Sequence, residues 1–145
     1  MSSGEVRKFV LLESPFSAPD RQGIVQNVSY AMIAARDSIA RGEAPYASHL
    51  FFTQMLDDTD PYERMQGINA GLAIGRFASM TAVYDDLGVS RGMEYGIENA
   101  RKAERPIEYR QLFTATMSAA EISDAIAENS PLDEESIARI YARIL

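Results

Sequence analysis

Met80-Thr81-Ala82-Val83-Tyr84-Asp85-Asp86-Leu87-Gly88-Val89-Ser90-Arg91-Gly92-Met93-Glu94-Tyr95-Gly96 decides the fold. The apolar run from Met80 to Tyr84 ends abruptly in two acids and a glycine, as a buried strand does at the edge of a sheet. Ser90 then offers an N-cap, and Met93, Ile97 and Ala100 recur at i, i+4 and i+7, so a helix begins here. Glu94 falls in the first turn of that helix, just past a strand's carboxyl end, where open α/β sheets bind ligands. Unpaired amides and the helix dipole stabilise an ionised carboxylate there. Glu94 either works as a nucleophile or general base, or simply complements the dipole.

Outward from this stretch, Val6 to Leu12 predicts a strand, apolar on both faces in its second half, that ends at Glu13-Ser14-Pro15-Phe16. Asp20 caps a helix whose apolar face is Ile24, Val28, Ala31, Met32, Ala35 and Ile39, and Gly42 stops it. Ala47 to Thr53 predicts a second strand. Asp60-Pro61-Tyr62-Glu63 is a strong helix start. The helix it opens carries Gly67, Gly71 and Gly75 at every fourth position, a stripe that marks close packing against another backbone. Pro106 to Leu112 alternates apolar and polar and predicts a last, half-exposed strand. Ser118 to Glu121 is a capping box before one tail helix, and Ser130-Pro131 starts another with Ile137, Ile140, Tyr141 and Ile144 on one side. Residues 1–5 read as a loose start.

Strands alternating with helices imply right-handed crossovers and a parallel sheet covered on both faces. The fold expected is a single-domain, Rossmann-like α/β three-layer sandwich with a mostly parallel sheet of about four to five strands. Residues 1–113 form the α/β domain and 114–145 a helical C-terminal extension. Ser14 to Phe16, His49 to Thr53 and Asp85 to Glu94 converge on one sheet edge, the expected pocket.

Composition narrows the chemistry. The 145 residues suit one domain, and an apolar fraction of 46% is ordinary for a soluble protein. No run approaches the ~18 apolar residues of a membrane span, and no apolar signal-peptide core is visible, so the expected location is the cytoplasm, away from membranes. The absence of cysteine excludes disulfides, thiolate zinc sites and cysteine nucleophiles. The single histidine, His49, cannot build a multi-histidine metal site within one chain, and no metal or cofactor is expected. Net charge is −7 with scattered basic residues, which argues against a nucleic-acid polymer as partner. A small anion remains compatible, because helix N-termini hold phosphate without a basic surface.

Gly92-x-x-x-Gly96 is no phosphate-loop fingerprint. Ser14 could offer a hydroxyl at a strand end but lacks a nucleophile elbow. His49 is either a satisfied structural histidine or a base- or phosphate-contacting one. Glu94 and Glu98 lie four apart, and Glu98 lies four before Lys102, as in a surface ion pair. Asp57, Asp58 and Asp60 have no EF-hand spacing and read as a solvated loop.

Gly92-Met93-Glu94-Tyr95-Gly96 after an apolar strand resembles the G-M-E-L-G motif of nucleoside 2-deoxyribosyltransferases. The chain also looks like small phage and bacterial relatives of that superfamily. It shares with them an S-P-[YF] turn (Ser14-Pro15-Phe16), a first-helix asparagine (Asn27), a P-x-x-x-H segment (Pro45 to His49) and an S-x-G-M helix start (Ser90 to Met93). The similarity spans residues ~6–112, and the order and spacing of short motifs carry it. It implies an N-glycosidase or 2-deoxyribosyltransferase acting on a nucleoside, nucleotide or nucleotide-derived molecule, in a homo-oligomer. Glu94 would attack the sugar carbon, and Asp85 or Asp86 would orient hydroxyls or serve as the acid. Ser14, Pro15, Phe16, Asn27, His49, Ser90, Gly92 and Met93 would hold the ligand. The alternative is a binding module that senses or sequesters such a molecule without turnover.

Overall fold

In a computed structural model that describes residues 4–145, the sheet is built around strand β1, Lys8–Glu13. The start of the loose segment read over residues 1–5 therefore lies outside the described residues. Strand β2, Glu43–Tyr46, pairs with β1 on one side and β3, Met80–Tyr84, on the other, with β4, Ile107–Arg110, outermost. All three pairings are parallel, and the order is β2-β1-β3-β4. Every carboxyl end thus points to one edge, and chain crossovers diverge between β1 and β3. Gaps of this kind receive ligands in open α/β sheets.

Parity along β1 and β3 assigns the faces. Val10 and Leu12 of β1 and Met80, Ala82 and Tyr84 of β3 form one cluster with Tyr30 and Ala34 of helix α1, Arg21–Ala40, and Ile126 of helix α5, Ala119–Asn129. Leu11 and Glu13 are in register with Thr81 and Val83 and point to the opposite face. Helices α3, Pro61–Gly75, and α4, Arg91–Lys102, cover that face, where Val83 packs with Met93 and Ile97. The expected three-layer sandwich is present, with four strands, all parallel.

Helix α1 buries more than one stripe because it lies between the sheet and the tail. Asn27, Tyr30, Ala34 and Ser38 are buried, while Ile39, expected on the apolar face, is half exposed. Asp20 caps α1 by accepting from the Gly23 amide at 2.7 Å, and Gly42 turns the chain at φ +85°.

The second strand is corrected. It occupies Glu43–Tyr46, ahead of the expected Ala47–Thr53, and Ser48–Phe51 forms a short helix α2 running into a 3-10 turn at Phe52–Gln54. β2 is an edge strand, which tolerates Pro45, and its ladder stops at Tyr46 opposite Leu11. Beyond that point the segment folds over α3. A Cβ at Gly71 would lie 2.6 Å from the Ser48 side chain, at Gly75 2.6 Å from a Leu11 methyl, and at Gly67 3.3 Å from Leu56. The glycine stripe is a close-packing device, as expected, but it receives side chains rather than another backbone.

The tail also differs from expectation. Helix α6, Glu134–Ile140, is capped by Asp133, not Ser130, because the Asp133 carboxylate accepts from the Ser136 amide at 2.7 Å. Tyr141 is buried: with Ile137 it joins Phe16, Ile24 and Val28 in one cluster. Among the described residues no helix is long and apolar enough to cross a membrane.

Candidate functional site

A cavity of about 290 Å³ lies at the carboxyl edge beside β1. That is the small end of the range for ligand pockets, roughly 300–1,000 Å³. Three separated segments wall it: residues 11–17, 48–72, and 90–96 at the start of α4.

Glu13 is its most unusual side chain. The strand delivers it to the same face as Leu11, and it lies against Gly96 of α4, where any Cβ would overlap its carboxyl. The carboxyl makes no hydrogen bond with a protein group among the described residues. Desolvation pushes its pKa up to about 8, against the pull of the Arg105 guanidinium. Arg105 itself is held by Thr81 Oγ1 at 2.9 Å, Asn99 Oδ1 at 3.0 Å and the Gly75 carbonyl at 3.3 Å, so it acts on Glu13 only through space. At neutral pH Glu13 is a neutral acid with one O–H to give and one carbonyl oxygen to receive.

Beside it, Ser14 Oγ lies 2.7 Å from His49 Nε2. Burial lowers the His49 pKa to about 4, so the ring is neutral. The S-P-F turn and the P-x-x-x-H segment are thus joined by one hydrogen bond. Opposite, Arg64 of α3 donates to Ser17 Oγ at 2.5 Å and to Asp58 Oδ2 at 3.3 Å, and its other terminal nitrogen lies 3.4 Å from a Cβ built at Gly92. Ser90 caps α4, accepting from the Met93 amide at 3.3 Å. Arg91 and Gly92 occupy the first turn, where amides have no carbonyl within the helix to bond. This wall combines a guanidinium with helix-terminal amides.

The cavity gathers Ser14, Phe16, His49, Ser90, Gly92 and Met93 of the expected set. Asn27 supports it from behind, donating to the Phe16 carbonyl at 2.8 Å and the Ser17 carbonyl at 3.3 Å. Pro15 does not line it.

The three expected catalytic acids, Glu94, Asp85 and Asp86, do not line this cavity. Glu94 is exposed: α4 buries Met93, Gly96, Ile97 and Ala100 against the sheet, which turns Glu94 and Glu98 outward. Glu98 faces Arg101 at 3.8 Å rather than Lys102. Asp86 is a structural clamp, accepting from Tyr30 Oη at 2.7 Å and from the Leu112 and Phe113 amides at 2.8 and 3.0 Å. Asp85 is outside the cavity lining, and its Oδ1 is buried with no hydrogen-bond partner among the described residues.

Glu13, Ser17, Asp58, Arg64 and Gly96 were not expected. Glu13 carried a readable signal, since a lone acid closes an otherwise buried strand on the face of Leu11. Arg64 carried none, because only the packing of α3 brings it to this edge.

Comparison with known proteins is sparse. No curated protein and no solved structure matches the chain. The model of one family, described as Domain of unknown function (DUF7768), matches residues 8–110, from the start of β1 to the end of β4. With most of its length matched, the chain belongs to the DUF7768 family.

Proposed function

We propose that the cavity binds a nucleoside, a nucleotide or a nucleotide-derived molecule and that the protein cleaves its base–sugar bond, with Glu13 as the working carboxyl. One observation carries the reading: a neutral, unpartnered carboxyl faces a nucleoside-sized cavity at the point where the crossovers diverge. Glu13 gives its proton to a nitrogen of the departing base as the C1′–N bond breaks. Water adds at C1′, and its released proton returns to the Glu13 carboxylate. Arg64 and the first-turn amides of α4 suit a 5′-phosphate. A transferase differs only in that a second base replaces water. Homo-oligomeric assembly and a cytoplasmic location, expected from the sequence, belong to the same proposal.

A second reading, binding without turnover, is favoured by the state of the other lining carboxylate. Asp58 is committed to Ser17 at 2.6 Å and Arg64 at 3.3 Å, which leaves the cavity without a free ionised nucleophile.

The test is chromatography of free base released from a panel of nucleosides and 5′-nucleotides by the intact protein, Glu13→Gln and Glu94→Gln. Release that Glu13→Gln abolishes and Glu94→Gln retains supports the glycosidase. No release, with one compound raising the melting temperature, leaves the binding module.

A further inference from the structure

Resting on that reading, we propose that Arg91, Arg64 and the first turn of α4 form a phosphate site. A phosphomonoester is then the required substrate class: the protein takes 5′-nucleotides and not the unphosphorylated nucleosides.

Charge is the first observation. The ionisable side chains that line the cavity, among the described residues, are Glu13, His49, Asp58, Arg64 and Arg91. Glu13 and His49 are neutral at neutral pH, so two guanidiniums face one carboxylate, in a chain whose net charge is −7. Behind the lining, Arg105 adds positive potential through space. Asp58 engages only Nη1 of Arg64. Nη2 makes no hydrogen bond among the described residues and lies 3.4 Å from a Cβ built at Gly92. Arg91 is exposed, lines the same cavity and makes no ion pair among the described residues.

The helix terminus is the second. The two oxygens of Ser90 take the Met93 and Glu94 amides, so those of Arg91 and Gly92 have no protein acceptor among the described residues. They form the positive end of the helix dipole, where a cation is unfavourable and an anion favourable. Two guanidiniums nevertheless stand at that end, and an anion between them relieves the repulsion. Phosphate oxygens accept from a guanidinium fork and from helix-terminal amides together. Glu13, buried in the same cavity without a protein partner among the described residues, marks the remaining space as one a ligand completes. It meets α4 at Gly96, one turn beyond Gly92 and about 6 Å along the helix axis. That interval leaves a pentose room between a departing base at Glu13 and a phosphate on the first turn.

Calorimetric titration would compare several 5′-monophosphates, their nucleosides and ribose 5-phosphate, which carries no base. The proteins are the intact chain, Arg91→Ala and Arg101→Ala. Arg91 is exposed, so its replacement is a surface change, and Arg101 in the last turn of α4 controls for lost net charge. A monophosphate is expected to bind roughly 10- to 100-fold more tightly than its nucleoside. Arg91→Ala should weaken the monophosphate and ribose 5-phosphate by roughly tenfold, while Arg101→Ala changes neither. A nucleoside binding as tightly as its monophosphate overturns the phosphate site and leaves the nucleoside reading. Equal losses in Arg91→Ala and Arg101→Ala overturn it as well, because net charge alone is then at work. Ribose 5-phosphate binding that depends on Arg91, without base release from any monophosphate, supports the phosphate site and removes the glycosidase. No binding by any compound removes both.

Discussion

The Glu13 carboxyl occupies the space into which a side chain on residue 96 would project, so β1 and α4 share one volume and only one of them can fill it. A methyl group at Gly96 must displace either the carboxyl or the helix. Gly96→Ala is expected to cost about 1–3 kcal/mol in denaturant unfolding. Adding Glu13→Ala should recover much of that loss, because it vacates the volume. Additive costs in the double variant would show that the two positions do not compete.

The pH dependence of stability follows from two opposed groups. The Glu13 pKa rises from its ordinary 4.5 to about 8 on folding, so between those values the unfolded chain ionises while the folded chain keeps its proton, and stability falls as pH rises. The His49 pKa drops from 6.5 to about 4, so over that range the unfolded chain binds a proton the folded chain refuses, and stability rises with pH. The slopes oppose each other up to about 6.5, and above it only the Glu13 slope remains. Unfolding free energy should fall by on the order of 1–2 kcal/mol between pH 6.5 and 8. In Glu13→Gln the fall should vanish; a fall that persists would mean Glu13 is already ionised.

Base release should share the upper limit. A rate that needs protonated Glu13 declines as pH passes through about 8. A rate that climbs steadily from pH 6 to 9 would point to an ionised nucleophile instead.

Asp86 should behave as a structural residue. It takes three hydrogen bonds from Tyr30 and the 112–113 backbone, so Asp86→Ala is expected to lose about 2–4 kcal/mol of stability. Glu94→Gln, on an exposed face, should stay within about 0.5 kcal/mol of the parent. Thermal and urea melts of the two variants side by side check both.

The tail lies beyond the matched 8–110 segment, yet Ile126 and Ile137 are fully buried against α1. Ile126→Ala should cost about 2–5 kcal/mol. A loss under about 0.5 kcal/mol would mean that α5 packs only loosely.

How much of this was legible depended on distance along the chain. β3, the Ser90 cap and α4 were readable because each signal is local: an apolar run, a hydroxyl, a repeat of four. β2 was misplaced because His49-Leu50-Phe51-Phe52 has strand-like composition, while the ladder on β1 and the hollows left by Gly67 and Gly71 decide its path. The site split in the same way. Ser14 and His49 were legible as candidates, but not their partnership across 35 positions. The outward position of Glu94 is legible in its own helix, since residues 93, 97 and 100 claim the sheet face. Arg64 and Asp58 depend on how α3 lies across the sheet, which no local pattern records.

The ring of Tyr141 packs 5.8 Å from that of Phe16, and its hydroxyl donates to the Leu50 carbonyl at 2.9 Å. One residue therefore ties together the two segments that carry Ser14 and His49, and it is synthesised after every residue of the cavity. During translation the sheet and its crossovers can assemble while those segments still lack their common anchor. A nascent chain halted before this tyrosine would thus carry the parts of the pocket without the clasp that joins them.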